Sequence, residues 1–222
     1  MSKTIYWHIQ DFKNLPKNDN WLSEREKEIQ DNMRFAKRRS EWRLGRWVVK
    51  NALLRYLSIP LSEIEVLSHE NGAPKLIIKR KTNKLALSIS HRENKAICAF
   101  SEHFDFIGCD LEFIEPRSTL FINDYFTPDE INYIDLHTQD KDLLANLIWS
   151  AKESVTKVLQ SGLNLDTREI NVHRITLPHD QLWGDLEMVL KNKSIFKGSW
   201  RTIHPYIITL SADSIFDKPV QI

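Results

Sequence analysis

Two carboxylates placed two residues apart, Asp110 and Glu112, are the first candidates for chemistry in this sequence. Apolar residues at positions 107, 109 and 111 alternate with them, which is typical of a strand with one buried face. Both acids then emerge on the other face, where their mutual repulsion favours a cation between them. An all-oxygen pair suits Mg²⁺ or Mn²⁺ better than zinc. The pattern also fits a strand with a wet, acidic outer face, so both interpretations stay open.

The segment before this strand predicts a second strand at its side. Residues 95–101 are mostly apolar, and the short stretch that follows is compatible with a hairpin loop. In the register that gives one continuous apolar face, Cys98 lies opposite Cys109, and Ala99 lies opposite Gly108. Small residues beside the carboxylates would leave room for a ligand. We therefore predict a hairpin that borders the acidic pair.

A long helix is predicted over residues 140–160, because apolar residues recur through it at helical spacing, and Gly162 is expected to end it. Glu153 lies opposite the apolar face, with Trp149 one turn before it and Lys157 one turn after it. A Glu–Lys pair four residues apart is a common surface feature. Because a solvated surface seldom adds a tryptophan, we expect this side of the helix to face a cleft.

A second helix is predicted from about Ser40 to Leu57, and it carries most of a basic cluster. Spacings of four, three and four residues place its members in one basic stripe, formed by Arg39, Arg43, Arg46 and Lys50. Arginine forks pair with phosphate oxygens, so the stripe is interpreted either as an anion clamp or as a solvated face. The net charge of +1 favours a nucleotide-sized anion over a nucleic-acid backbone.

Two shorter signals lie between the basic stripe and the acidic strand. An Asn-Gly pair at residues 71–72 predicts a turn that leads past Pro74 into a strand. Residues 85–91 predict another strand, with Ser90 and His91 at its exit. A lone histidine there more often caps or packs than reacts, so it matters only beside the acidic pair or a phosphate.

The rest of the chain supplies the elements that must hold these residues. We predict a first strand over residues 5–9, and helices that begin at the capping boxes Ser23–Glu26 and Thr127–Glu130. The tail, residues 213–222, shows no clear element. Later in the chain the pattern predicts an antiparallel sheet, with strands over residues 170–177, 186–191, 195–202 and 205–211.

Length and composition bound the class of protein. The 222 residues, 41% hydrophobic and 27% charged, are ordinary for globular proteins, and the order of elements predicts an α+β fold. No apolar run is long enough for a membrane span, and the first residues do not resemble a signal peptide. Two cysteines without metal-ligand spacing indicate buried, reduced thiols in the cytoplasm. We expect a monomer, because no large apolar face remains unexplained.

The order of the predicted elements, helices and then strands, occurs twice. We therefore predict two similar, pseudo-symmetric α+β subdomains with largely antiparallel sheets, residues 1–105 and 106–222, although no sequence repeat is visible between them. The active site is expected at their seam, where Asp110, Glu112 and Glu153 would meet.

Three separated motifs carry a resemblance to a known family. They are Asn71-Gly-Ala-Pro74 leading to Ser90-His91, Ile107-Gly-Cys-Asp110-Leu-Glu112, and Trp149-Ser-Ala-Lys152-Glu153-Ser-Val-Thr-Lys157. Together they resemble the 4'-phosphopantetheinyl transferases, specifically the single-chain type that activates surfactin synthetase. In that type the second and third motifs read G-x-D-x-E and W-x-x-K-E-x-x-x-K, and both fit here without gaps.

The resemblance implies an enzyme of the holo-[acyl-carrier-protein] synthase type. It would move the phosphopantetheine arm of coenzyme A onto a serine of an apo acyl, peptidyl or aryl carrier protein and release adenosine 3',5'-bisphosphate. Asp110, Glu112 and Glu153 would hold Mg²⁺, or Mn²⁺, at the pyrophosphate. Glu153 would accept the serine proton, and Lys157 would stabilise the departing phosphate. The residues implied to bind coenzyme A are Arg39, Arg43, Arg46, Lys75, Ser90, His91, Asp110, Lys152 and Lys157.

One position departs from the family pattern, and one segment has two possible roles. Ala73 stands where many relatives carry Lys or Arg, and Lys75 is the candidate replacement. The segment 116–126 is the candidate contact for the carrier protein, through Phe121 or Tyr125. The same aromatic residues fit a hydrophobic core equally well.

Two other functions fit parts of the pattern. A metal-dependent nuclease or phosphodiesterase would use the same acids with Lys157, but it would need a basic groove and a steep salt dependence. A non-enzymatic basic binding module would leave the acidic strand without a role. The motif spacing favours the transferase, whose partners would be coenzyme A and a carrier protein, with no nucleic acid and no membrane.

Overall fold

Helices and strands are interspersed along the described residues, which are 2–79, 84–160, 165–177 and 182–222 of this computed structural model. Their presence in both halves of the chain confirms the α+β class. The elements are β1 (Tyr6–Asp11), α1 (Glu24–Asp31), α2 (Ala36–Leu57), β2 (Ile64–Ser68), β3 (Pro74–Ile78), β4 (Ala86–Arg92), β5 (Lys95–Ser101), β6 (Gly108–Phe113), α3 (Thr119–Tyr125), α4 (Pro128–Leu136), α5 (Lys141–Leu159), β7 (Ile170–Ile175), β8 (Gly184–Leu190), β9 (Ile195–Ile203), β10 (Tyr206–Ala212) and β11 (Val220–Gln221).

Two sheets and a two-stranded ribbon form the β framework. The first sheet has the order β11-β1-β5-β4, the second has the order β6-β10-β9-β8-β7, and β2 pairs with β3. Among the described strands, the pairings are antiparallel except that of β1 with β11. The predicted C-terminal antiparallel sheet is therefore confirmed. Helix α5 packs its apolar face on this sheet through Leu147, Ala151 and Val155.

The predicted hairpin of β5 with β6 is wrong. Strand β5 pairs with β1 and β4, whereas β6 pairs with β10 in the other sheet. The connection crosses between the sheets because Phe104 and Ile107 are buried in the apolar cluster that both sheets share. Cys98 and Cys109 therefore do not face each other in a ladder, although both are free and buried as predicted.

Gly108 has a structural role that differs from the predicted one. A Cβ atom at this position would lie 1.7 Å from the carbonyl oxygen of Ser154 in α5. The glycine therefore lets the helix backbone approach the acidic strand, and this close approach brings α5 over β6. The small residue serves helix packing rather than space for a ligand.

Two boundaries also correct the sequence predictions, and the predicted end of the long helix near residue 160 is confirmed. Helix α2 begins at Ala36 rather than near Ser40, and with 22 residues it is longer than α5 with 19. The tail is not without structure, because β11 pairs with β1 in parallel. Its two residues follow a proline and show no alternation, which explains why the strand was not visible in the sequence. Helix α5 ends at Gln160 in a left-handed conformation, and the expected stop at Gly162 lies outside the described residues.

The first predicted capping box is confirmed, and it is part of a buried ion pair. The Glu26 carboxylate accepts hydrogen bonds from the backbone N–H groups of Ser23, at 2.8 Å, and Val66, at 2.9 Å. Lys50 Nζ lies 2.6 Å from the same carboxylate, and it also donates to the carbonyl oxygen of Trp21. Lys50 of α2 thus links α1, the loop that precedes α1 and, through Glu26, strand β2.

The second capping box has the same construction in the other half. Glu130 accepts hydrogen bonds from the N–H groups of Thr127, at 2.8 Å, and Val172, at 2.7 Å. Lys152 Nζ lies 2.7 Å from Glu130 and donates to the carbonyl oxygen of Tyr125. Lys50 and Lys152 therefore hold equivalent positions in α2 and α5.

This equivalence reveals a short sequence repeat that is not visible without the structure. Aligned on the two lysines, W-x-x-K-N-x-x-x-R at residues 47–55 matches W-x-x-K-E-x-x-x-K at residues 149–157. The strand order β1-β5-β4 likewise matches β6-β10-β9. The subdomain boundary at residue 105 stays a prediction. No helix in the described part of the chain is both long and apolar enough to cross a membrane.

Candidate active site

The acidic residues of β6 and the polar side of α5 line one cleft of about 830 Å³. Asp110 and Glu112 reach it from the strand, and Trp149, Glu153 and Lys157 reach it from the helix. The strand and the cleft-facing side of α5 are thus where the sequence predicts them.

Asp110 is held on both oxygens by the protein. Its Oδ1 accepts hydrogen bonds from Ser90 Oγ and Lys157 Nζ, each at 2.8 Å, and its Oδ2 accepts one from Ser150 Oγ at 2.8 Å. Only 4% of Asp110 is exposed. The carboxylate is therefore fixed by three donors from β4 and α5.

Glu112, the second acid of the strand, is held by an indole and a guanidinium. Trp149 Nε1 donates to Oε1 at 3.0 Å, and Arg117 donates to Oε2 at 2.9 Å. Burial raises the Glu112 pKa, and the nearby Asp110 charge raises it further, while Arg117 and Arg92 oppose the shift. The site is thus short of positive charge even with two arginines present.

Glu153 is the third acid, and no described residue donates a hydrogen bond to its carboxylate. Burial raises the Glu153 pKa, and the charges of Asp110 and Glu112 add to that rise, while Lys157 opposes it. Glu153 is half-buried and lines the cleft, so its carboxylate is the one of the three that the described protein donors leave available. Such perturbed groups in a cleft are typical of functional sites.

The donor chemistry fits a divalent cation, although the side chains do not form a closed cage. Among the residues that the structure describes, no group of three or more His, Cys, Asp or Glu side chains is arranged to hold a metal ion. Asp110 and Glu112 instead turn towards Lys157 and Arg117. The three carboxylates of this cleft still provide the oxygen donors that Mg²⁺ prefers. A cation would offset the repulsion between these acids, which adds to burial in raising the pKa values of Glu112 and Glu153.

Lys157 supplies a fixed positive charge to the cleft. Burial lowers its pKa, but Asp110, Cys109 and Glu153 together raise the pKa of Lys157 by more. The ammonium also donates to the carbonyl oxygen of Cys109 at 2.8 Å. Lys157 is therefore held as a cation against β6.

A second cavity, of about 510 Å³, meets the first at Glu153 and Lys157. The turn at residues 71–72, Ala73 and Lys75 line it, which places the first predicted motif beside the third. Ser90 and His91 line the acidic cleft instead. His91 Nε2 lies 3.5 Å from Glu41, so the histidine faces α2 rather than Asp110.

The basic stripe does not line either cavity. Arg39 donates to the carbonyl oxygen of Met33 at 2.6 Å, and Arg43 forms an ion pair with Asp19 at 2.5 Å. Arg46 lies over the Trp42 ring, and burial lowers the pKa of Arg46 to about 10. These guanidinium groups hold α2 against the segments around it.

Lys152, which the resemblance also implies to bind coenzyme A, does not line the cleft either. It is fully buried and bonded to Glu130 and to the carbonyl oxygens of Tyr125 and Thr167. The structure therefore places it inside the framework beneath α5. Tyr125 is 40% exposed at the cleft, and Phe121 packs against Trp149 at 5.0 Å between ring centres.

Four residues of the site were not singled out in the sequence. Ser150 and Thr209 lie beneath Asp110, and Arg92 and Arg117 lie beside Glu112. Ser150 is inside the third motif, so its position next to Trp149 was a usable signal. Nothing in the local sequence pointed to Thr209, because its role depends on the pairing of β10 with β6.

Comparison with protein families gives one match. Residues 106–206 match the model of the 4'-phosphopantetheinyl transferase superfamily. The matched segment contains Asp110, Glu112, Glu153 and Lys157, and it also spans the strands β7 to β9.

Two curated proteins are similar in sequence. One is the 4'-phosphopantetheinyl transferase HetI of a Nostoc species, 26% identical over 132 residues that cover 58% of this chain and 55% of that protein. The other is a holo-[acyl-carrier-protein] synthase of Petrotoga mobilis, 42% identical over 57 residues that cover 25% of this chain and 48% of that protein. The chain thus spans about half the length of the curated relatives it matches.

Solved structures with a partial likeness come from the same kind of enzyme. The holo-[acyl-carrier-protein] synthase of Helicobacter pylori, in complex with coenzyme A, is 18% identical, with a TM-score of 0.36, over 44% of this chain and 97% of that one. The enzyme of Thermotoga maritima is 21% identical, with a TM-score of 0.39, over 57% of this chain and 76% of that one. Both TM-scores are too low for this likeness to support a conclusion about fold or function.

Proposed function

The chain belongs to the 4'-phosphopantetheinyl transferase superfamily, and from that membership we propose that it transfers 4'-phosphopantetheine from coenzyme A to a serine of an apo carrier protein. The other product would be adenosine 3',5'-bisphosphate. One observation carries the proposal: Asp110, Glu112, Glu153 and Lys157 come from two distant segments and line a single cleft. Three acids and one lysine are the groups that phosphoryl transfer by positioning and charge neutralisation requires.

The three carboxylates are the candidates for holding Mg²⁺, with Mn²⁺ as the alternative. A bound divalent ion would offset the negative charge of the coenzyme A pyrophosphate. Asp110 and Glu112 are anchored on a strand, and Glu153 is anchored on the helix that Gly108 brings close to it. Support for the ion comes from the chemistry of these side chains.

Glu153 is the candidate base. Its carboxylate has no described hydrogen-bond donor, and its raised pKa increases its tendency to accept a proton. The proton would come from the hydroxyl group of the carrier serine, either directly or through a water molecule. The serine oxygen would then attack the phosphorus atom that carries the pantetheine arm.

Lys157 is the candidate for stabilising the leaving group. Asp110 holds its ammonium in the cleft and keeps it charged. Bond breakage leaves negative charge on the phosphate of the adenosine product, and a fixed cation stabilises that charge.

The second cavity is the candidate site for part of coenzyme A. It opens onto Glu153 and Lys157, and Lys75 lines it where a basic residue could contact a phosphate. Ser90 and His91 would contact phosphates from the acidic cleft. The roles given to Arg39, Arg43, Arg46 and Lys152 stay predictions, and for these four the contacts described above are within the protein.

The carrier protein would approach the side of the cleft formed by α3. Tyr125 is exposed there, and Phe121 links it to Trp149 through ring contacts. Such an aromatic surface could contact a helix of an acyl, peptidyl or aryl carrier protein. The carrier class, the cytoplasmic location and the monomeric state are part of this proposal.

A mass measurement tests the proposed transfer. The protein is mixed with coenzyme A, Mg²⁺ and apo carrier proteins of the acyl, peptidyl and aryl classes, and each carrier is weighed afterwards. We expect at least one class to gain one phosphopantetheinyl group, and Glu153→Gln to remove that gain. An unchanged mass for all carriers, together with cleavage of DNA, would favour a nuclease and overturn the proposal.

A further inference from the structure

A chain of hydroxyl groups lies beneath Asp110. Ser150 Oγ donates to Asp110 Oδ2 at 2.8 Å, and Thr209 Oγ1 lies 2.8 Å from the same Ser150 oxygen. Ser150 and Thr209 are fully buried, and Thr209 is directly opposite Asp110 in the pairing of β6 with β10. A helix residue and a strand residue therefore meet under one carboxylate.

The number of available protons fixes the direction of the hydrogen bonds between these hydroxyl groups. Asp110 can only accept when ionised, so the single Ser150 hydroxyl proton goes to Asp110. Thr209 then turns its own proton towards Ser150, either to Oγ or to the carbonyl oxygen, which lies 2.9 Å away. The Ser150 hydroxyl is thus directed at the acid, and the Thr209 hydroxyl is directed at Ser150.

The first half of the chain shows which residues occupy the same positions where no acid is present. Aligning Lys50 with Lys152 places Val48 where Ser150 stands. Cys98 lies opposite His8 in the ladder of β1 and β5, as Thr209 lies opposite Asp110. Cys98 Sγ contacts the carbonyl oxygen of Val48 at 3.6 Å, which matches the contact of Thr209 with the Ser150 carbonyl oxygen.

In both halves a strand side chain therefore contacts a helix carbonyl oxygen, Cys98 in one and Thr209 in the other. Only the second half has a hydroxyl group at the helix position, that of Ser150 beneath Asp110. A valine performs the packing role at position 48, so packing alone does not require a serine at position 150. A buried hydroxyl group normally needs a partner to offset its desolvation, and here that partner is the carboxylate.

From these contacts we propose that Ser150 and Thr209 are positioning residues that hold the Asp110 carboxylate in the orientation needed to bind a divalent cation. The inference rests on the proposed function for the identity of the cation. Residues behind a metal ligand fix its rotation, and losing them weakens metal binding even though they never touch the metal. Without Ser150, Asp110 Oδ2 loses its hydrogen bond, and the carboxylate is free to rotate about the bonds to Ser90 and Lys157.

The test compares Ser150→Ala with Ser154→Ala. Ser154 is also a buried serine of α5 that contacts a hydroxyl of β10, that of Ser211, but it does not contact Asp110. Binding of Mn²⁺ to the purified protein is measured by electron paramagnetic resonance, with and without coenzyme A. We expect Ser150→Ala to bind Mn²⁺ about 10–100-fold more weakly than the wild-type protein, and Ser154→Ala to bind it equally well.

Thr209 provides a second pair of variants in case Ser150→Ala does not fold. Thr209→Val keeps the shape and removes the hydroxyl group, whereas Thr209→Ser keeps the hydroxyl group. We expect weaker Mn²⁺ binding for Thr209→Val, by less than for Ser150→Ala, and near wild-type binding for Thr209→Ser. In the transfer assay, excess Mg²⁺ should restore most of the rate of both hydroxyl-deficient variants, because the cation site is weakened rather than removed.

The outcomes separate this inference from the proposed function. If the wild-type protein modifies a carrier but Ser150→Ala and Ser154→Ala bind Mn²⁺ equally well, the positioning role is wrong and the transfer stands. If no carrier gains mass but Ser150→Ala still loses Mn²⁺, the hydroxyl chain positions a metal ligand of some other enzyme. Equal losses in Thr209→Val and Thr209→Ser, or no Mn²⁺ binding by the wild-type protein, would overturn the inference.

Discussion

The acidic cleft has a neutral counterpart in the first half of the chain. Alignment of the two lysines and of the two strand ladders pairs each site residue with a residue of that counterpart. The three acids Asp110, Glu112 and Glu153 correspond to His8, Gln10 and Asn51, which form the neutral set. Lys157 corresponds to Arg55, so both halves carry a positive charge at that position. The same framework thus carries two different sets of polar side chains.

The neutral set satisfies itself. His8 and Gln10 each contact Asn51 Oδ1 at 3.1 Å, and the His8 ring contacts the carbonyl oxygen of Ile222, next to β11. The acidic set is not satisfied in this way, because Glu153 has no described donor. The framework therefore does not require acids at these three positions, and the cost of burying Asp110 and Glu112 in the second half points to function rather than folding.

The largest expected effect comes from exchanging an amide and an acid between the two sets. Glu112→Gln keeps the shape and removes one charge, and we expect transfer to fall by at least about 10²-fold, as when a group that stabilises charge is lost. The matched exchange is Gln10→Glu, which adds an acid to the neutral set and should leave transfer unchanged. Carrier mass against time measures both. A comparable loss in the two variants would mean that the halves are not functionally distinct.

The two buried lysines should behave alike, because both belong to the framework. Removing one partner of a buried ion pair costs about 3–5 kcal/mol, so Lys50→Met and Lys152→Met should lower the free energy of unfolding by similar amounts. Denaturation by urea measures this. Coenzyme A affinity of the folded fraction should remain in both variants. A selective loss of affinity in Lys152→Met would restore the predicted contact of Lys152 with coenzyme A.

Gly108 marks a difference in how closely helix and strand approach. Tyr6 occupies the corresponding place in β1, whereas a Cβ at Gly108 would collide with the Ser154 carbonyl oxygen. Gly108→Ala should therefore lower stability by about 1–3 kcal/mol and reduce transfer by displacing α5. The control is Gly45→Ala in α2, where a Cβ meets only an ordinary contact at 3.5 Å and helix propensity favours alanine. Equal decreases in melting temperature for Gly108→Ala and Gly45→Ala would contradict the close approach of α5 to Gly108.

The smallest effect concerns His8 in the neutral set. Burial lowers its pKa from the ordinary 6.5, and Arg55 adds to this, while contacts with Ile222 and Asn51 oppose it. The unfolded chain therefore takes up a proton first, so stability is complete above pH 6.5 and falls as the pH drops through the lowered value. His8→Asn should remove this part of the acid dependence. The free energy of unfolding of the wild-type protein and of His8→Asn is measured from pH 7.5 to pH 5. The same pH dependence in both proteins would show that His8 is exposed instead.

Sequence patterns located the acids well because local periodicity decides which face a side chain takes. Alternation placed Asp110 and Glu112 together, and helical spacing placed Glu153 beside them, all within the cleft. The hairpin prediction failed because strand pairing depends on contacts between distant segments, here the buried Phe104 and Ile107. Lys152 could not be placed from its motif, since its partner Glu130 lies in another helix. Thr209 was invisible for the same reason.

The most direct test of the whole account is to locate the cation. Crystals grown with coenzyme A and Mn²⁺ would be measured just above and just below the manganese absorption edge, because the anomalous signal of the metal changes sharply there and that of sulfur and phosphorus does not. We expect one strong anomalous peak bound by the carboxylates of Asp110, Glu112 and Glu153, and none beside His8 and Asn51. A peak bound away from these three acids, or equal peaks in both halves, would contradict the account.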